Sequence, residues 1–105
     1  MPLYVLYAKD KPNNLERRLE HYAAHRAFIE AQDEGDLIKV IMSGPLQTDD
    51  GGIMVGSILL IEAATREDVD QFAAQDPFMR AGVWGEVQIS RFYRRHGSAR
   101  TLDSL

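Results

Sequence analysis

Asp76-Pro77-Phe78-Met79-Arg80-Ala81-Gly82 is the stretch at which one amphipathic segment must stop and a new chain direction begin. Pro77 has no amide proton and a fixed φ, so it suits the first position of a helix and pushes the residue before it out of the helical region. Asp76 is thereby placed as an N-cap, its carboxylate accepting a backbone N–H at the start of a short helical turn that Gly82 ends. A second task is open to the same carboxylate, the orientation of a basic side chain. The break also partitions the chain, because elements before it must close at Asp76 and only one further strand fits after Gly82.

Working back from the break, Thr65 opens a capping box with Asp68, and Val69, Phe72 and Ala73 form the apolar stripe of a helix that ends at Asp76. Residues 54–63 read as a strand with apolar side chains on both faces, Met54, Ile58 and Leu60 alternating with Val55, Leu59 and Ile61. Asp49-Asp50-Gly51-Gly52 is a turn signal before it, and residues 38–43 form the preceding strand, broken by Gly44-Pro45. Further back, Asn13 or Asn14 is positioned to cap a helix running to about Glu34, where Gly35 stops it. Residues 3–8 are apolar on both alternating faces, the pattern of a central strand. Beyond the break, residues 86–93 alternate Val87 and Ile89 with Glu86, Gln88 and Ser90, as a half-exposed edge strand does.

The order β-α-β-β-α-β predicts an α+β fold of ferredoxin-like type: one four-stranded antiparallel sheet with two helices on one face. The domain is expected over residues 1–96, with 97–105 a C-terminal tail of no periodicity. Two helices cover one face of a sheet whose central strands are apolar on both. The simplest cover for the other face is a second copy of the chain, since an exposed apolar sheet of several hundred Å² is unusual on a soluble monomer.

Composition narrows the classes. At 105 residues the chain forms one domain with a modest core. A net charge of −4, with basic residues scattered among acids, argues against nucleic acid, and Arg94-Arg95-His96 reads as a solvated strand end. Without cysteine there is no disulfide framework and no thiolate nucleophile or metal cluster. No apolar run approaches the roughly 20 residues of a membrane span and no leader pattern opens the chain, so a cytoplasmic, non-membrane protein is expected.

In the first helix, His25 has His21, Tyr22, Phe28 and Ile29 as neighbours at three and four positions. It therefore lies on a stripe expected to face the sheet, where an imidazole needs a polar partner. As a hydrogen-bonded core residue it would have no further role. Asp76 offers another reading, for it begins the break after the other helix on the same side of the sheet, and a carboxylate is the group that sets an imidazole's tautomer. Arg18, on the same face two turns earlier, is either solvated or a contact for an anionic substrate group. His21 and His25 are spaced as a metal pair but lack an accompanying Glu and a third ligand, so no metal and no cofactor is expected.

His25-Arg-Ala-Phe-Ile29, Ser43-Gly-Pro-Leu46, Gly56-Ser-Ile-Leu-Leu-Ile61 and Asp76-Pro-Phe-Met-Arg-Ala-Gly82, in that order across residues 2–93, resemble the YCII-related (YciI-like) domain family. The resemblance implies dimerisation through the sheets as an α/β barrel and a site in which His25 pairs with Asp76. Substrate contacts are expected at Arg18, Ser43, Gly44, Pro45 and Ser57. Some relatives are similar to muconolactone isomerases and eliminate chloride from chlorinated ring-cleavage or hydroquinone-type substrates. Tyr22 departs from the pattern, standing where many relatives carry Arg. Two functional expectations follow. The first is a small cofactor-independent enzyme in which His25, oriented by Asp76, moves a proton on a small anionic or phenolic molecule, by isomerisation or HX elimination. The second is a binding or accessory module that holds such a ligand without turnover.

Overall fold

The structure, a computed structural model, describes residues 1–32 and 37–97 of the chain. Its elements follow the expected order: β1 Leu3–Asp10, α1 Leu15–Ala31, β2 Ile38–Gln47, β3 Met54–Ala63, α2 Arg66–Gln75, the single turn α3 Pro77–Arg80, and β4 Trp84–Phe92. The strands form one antiparallel sheet in the order β2-β3-β1-β4, with the two apolar strands central and β2 and β4 at the edges. The fold is ferredoxin-like, with the helices on one face. The expected end of α1 at Glu34 and Gly35, and the tail from residue 98, lie outside the described residues.

Alternation on the central strands builds the core. Tyr4, Leu6 and Ala8 of β1 and Leu59, Ile61 and Ala63 of β3 are buried beneath the helices, where they meet Val69, Phe72 and Ala73 of α2 and Phe78 of α3. A side chain such as Leu6 or Leu59, fully withdrawn from water, contributes about 1.5–3 kcal/mol. The opposite face presents Tyr7, Met42, Ile58 and Phe92, each about two-fifths exposed.

Two bulges set which side chains reach the helix side. In β2, Val40 pairs with Ile61 but Met42 pairs with Leu60, so Ile41 is an extra residue that reverses the alternation after it. Ser43 then pairs with the buried Leu59 and Pro45 with Ser57, putting both on the helix side. In β4 the pairing steps from Lys9–Glu86 to Asp10–Trp84, skipping Gly85, and Trp84 turns inward to 3% exposure.

Three local expectations are corrected. Gly44-Pro45 does not break β2, which runs on to Gln47; as an edge strand it has one side without a partner, where the missing N–H of proline removes no ladder bond. Asn14 occupies the N-cap position of α1 without a side-chain cap bond. Its amide instead donates to the carbonyls of Gly82 (3.1 Å) and Val83 (3.0 Å), fastening the start of α1 to the turn after α3. The last strand begins at Trp84 rather than Glu86, lengthened by the bulge. The punctuation of α2 is as read. Thr65 Oγ1 accepts from Asp68 N at 3.2 Å, and Asp76 closes α2 while capping α3, whose turn ends with Gly82 at φ +74°.

Candidate functional site

Arg18, Tyr22, His25 and Ile29 recur at helical spacing along one face of α1 and form one wall of a cleft of about 460 Å³. The other wall is the edge of the sheet, Ser43, Gly44 and Pro45 of β2 with Ser57 of β3 behind them. The cleft thus collects six of the seven residues singled out in the sequence, all but Asp76.

Asp76 acts from behind this wall. It is fully buried, and its Oδ1 accepts two bonds, from the backbone N–H of Phe78 at 2.9 Å and from His25 Nδ1 at 2.8 Å. Cap and orienter are therefore the same oxygen. An ionised carboxylate can only accept, so Nδ1 carries a proton, and in the neutral ring Nε2 is the nitrogen with the lone pair. Nε2 makes no hydrogen bond within the described residues and is not sealed from solvent, and His25 lines the cleft while remaining 8% exposed. The ring is held flat against Phe78 at 4.0 Å between centroids, with the edge of Trp84 at 6.1 Å. Asp76 Oδ2 has no partner at all, the one buried side-chain polar atom so placed among the described residues.

Arg18 is not solvated. It is 1% exposed and forms a two-pronged pair with Asp10 at the end of β1, Nε to Oδ2 at 2.6 Å and Nη2 to Oδ1 at 3.0 Å. Nη2 also donates to Ser57 Oγ at 2.7 Å, and the guanidinium lies over the Phe78 ring at 4.6 Å. Nη1 makes no hydrogen bond within the described residues and is not sealed. A buried guanidinium without a carboxylate would be strongly destabilising, and Asp10 supplies the balancing charge. Ser57, 2% exposed, accepts a second bond from Trp84 Nε1 at 3.2 Å.

The sequence reading missed Asp10, Phe78 as a platform for both the His25 ring and the Arg18 guanidinium, and Trp84. Only Asp10 carried a signal, as an acid two residues beyond the apolar run of residues 3–8. Trp84 had none, since plain alternation from Val87 and Ile89 points it outward. Among the described residues no group of three or more His, Cys, Asp or Glu side chains is arranged to hold a metal ion, and no helix is long and apolar enough to cross a membrane.

Comparison with known proteins agrees with this architecture. Protein YciI of Escherichia coli O6:H1 is 34% identical over 93 residues, covering 86% of this chain and 95% of that protein. An uncharacterised protein of Haemophilus influenzae is 28% identical over 92 residues, covering 85% of this chain and 94% of the other. Among solved structures, 5-chloro-2-hydroxyhydroquinone dehydrochlorinase from Burkholderia phenoliruptrix AC1100, in complex with 2,5-dihydroxybenzoquinone, superposes with a TM-score of 0.75 at 33% identity, covering 90% of this chain and 95% of that one. A dimeric ferredoxin-like protein from Bacteroides fragilis shares the fold, with a TM-score of 0.55 at 15% identity over 86% of this chain and 92% of its own. The family model of the YCII-related domain matches residues 2–93, and the chain belongs to that family.

Proposed function

We propose that the cleft is the active site of a small enzyme in which His25, oriented by Asp76, transfers a proton on a small phenolic or anionic substrate. The observation that carries this reading is the division of labour on one imidazole: Nδ1 is committed to Asp76, and Nε2 is unpaired beside the cleft. In an elimination from the keto form of a chlorinated hydroxylated ring, Nε2 takes the proton of a conjugated hydroxyl, the O–H electron pair becomes the new carbonyl bond, the double bond it displaces shifts to the chlorine-bearing carbon, and chloride leaves with the carbon–chlorine pair. In an isomerisation the same nitrogen takes a proton from one carbon of the keto form and returns it to another. The 33% identical dehydrochlorinase supports the substrate class, a chlorinated hydroxylated ring, whose keto form carries an activated C–H. Such a carbon suits a positioned base, which contributes roughly 10²–10⁴ in rate. Ser43, Gly44 and Pro45 form the substrate-facing rim, and Arg18 and Ser57 the floor.

The test is chloride release from 5-chloro-2-hydroxyhydroquinone, together with deuterium uptake by carbon acids in D₂O, for wild type and His25→Gln. Gln keeps size and hydrogen-bonding ability, so the variant is expected to fold and to lose at least about 10²-fold in rate. A folded His25→Gln with wild-type rates would remove His25 from the chemistry. Wild-type protein that binds the substrate yet neither releases chloride nor exchanges deuterium would favour the ligand-binding module.

The second part of the proposal is a homodimer. Tyr7, Met42, Ile58 and Phe92 on the helix-free face form an apolar surface that a second copy would cover. Sheet against sheet, the two copies would give an α/β barrel.

A further inference from the structure

Ser57 is hydrogen-bonded in a way that leaves it one capability. A serine hydroxyl has two acceptor positions and one proton. Both acceptor positions are filled, by Arg18 Nη2 at 2.7 Å and Trp84 Nε1 at 3.2 Å, and no acceptor among the described residues takes the proton. The tetrahedral position that remains is the proton's, and Ser57 lines the cleft. Beside it, Arg18 Nη1 also has its hydrogens uncommitted. Asp10 balances the charge of Arg18 through two bonds, so the pair of donors carries little net charge. A neutral pair of fixed donors is poorly matched to a dianion such as phosphate. It is well matched to a single oxygen on which charge develops.

We infer that Ser57 O–H and Arg18 Nη1–H form an oxyanion site for a phenolate or enolate oxygen conjugated to the carbon at which His25 acts. The inference rests on the reading of the cleft as a small-molecule site and adds to it the polarity of the ligand. The ligand presents an acceptor-only oxygen to the floor, and a ligand presenting a hydroxyl donor there meets two donors. Trp84 is a positioning residue in this arrangement, because its indole N–H occupies the lone pair through which Ser57 would otherwise accept. When Nε2 removes a proton from carbon, the charge delocalises to the oxygen that the two donors would hold.

The experiment uses 4-nitrophenol, whose phenolate is coloured, titrated onto His25→Gln so that no cleft imidazole contributes to its ionisation. The expected result is that the bound probe ionises at lower pH than the free probe, with phenolate preferred over phenol. Ser57→Ala should reduce that preference about tenfold, as for loss of one hydrogen bond to a charged oxygen. Ser57→Thr, which keeps the hydroxyl, should restore it. Trp84→Phe, by freeing one acceptor position on Ser57, should weaken discrimination against phenol while retaining phenolate binding. Equal ionisation of bound and free probe would overturn the proposal, as would an unchanged preference in folded Ser57→Ala. Because the probe assay is done without His25, its failure is separate from failure of the proton-transfer reading, which turnover alone decides.

Discussion

Replacement of Asp76 separates its two tasks in a single measurable series. Asp76→Ala removes the cap on α3, worth about 1 kcal/mol, and the charge-assisted bond to His25, worth about 1.5–3 kcal/mol. It also removes Oδ2, a buried oxygen without a partner whose presence is a cost in the native state. The net loss is therefore placed at about 2–3 kcal/mol. That is a large share of the roughly 5–15 kcal/mol typical of a domain, and corresponds to a fall in Tm of roughly 10–20 °C at this size. Asp76→Asn keeps an oxygen where Oδ1 accepts both bonds, but that oxygen is neutral, and neutral bonds are about half as strong. Its nitrogen replaces an oxygen that already had no partner. A loss of about 1 kcal/mol follows, a Tm lower by roughly 4–8 °C. Urea unfolding can be followed through Trp84, the single tryptophan, which packs edge-on against His25. If Asn destabilises as much as Ala, the two bonds to Oδ1 are not what Asp76 contributes. If Asn matches wild type in ligand binding and turnover, the carboxylate has no part in function beyond capping.

Three further outcomes are expected. A Cβ at Gly56 would sit 2.4 Å from the carbonyl oxygen of Ala8 and 3.1 Å from Leu46 Cδ1, so Gly56→Ala should force β1 and β3 apart and cost about 1–3 kcal/mol; an unchanged melting temperature would show that the strands have room. Light scattering on a sizing column should give about twice the 11.9 kDa chain mass, and Ile58→Lys should shift the mass toward one chain; a wild-type monomer would refute the paired sheets. The Asp50 carboxylate, held by the hydroxyl of Thr48 and then by the N–H of Gly52, lies below its ordinary pKa of 3.8. A depressed folded-state value means that its contribution is present above 3.8 and lost as pH falls through the folded value. Urea midpoints measured down through that range should therefore fall more steeply for wild type than for Asp50→Asn, and parallel curves would refute the role assigned to the turn.

The order of elements was legible in the chain because it is local physics. Period-two apolar segments at β1 and β3, the Thr65 cap and the Asp76-Pro77 break each follow from residues within a few positions of one another. The facing of His25 and Asp76 was legible for a related reason, since βαββαβ topology returns both helices to one side of the sheet. Only the tertiary structure decided the rest. The bulges at Ile41 and Gly85 turn Ser43, Pro45 and Trp84 toward the helix side, and a bulge is set by cross-strand pairing rather than by its own residues. Arg18 read as a solvated side chain because its charge needs water or a partner. The partner, Asp10, is eight residues away in sequence and on another element, and nothing short of the packed fold brings the two carboxylate oxygens onto the guanidinium. The polarity of Ser57 lies further still from the sequence, for it depends on Arg18 and Trp84 arriving together from different elements to fill its two acceptor positions.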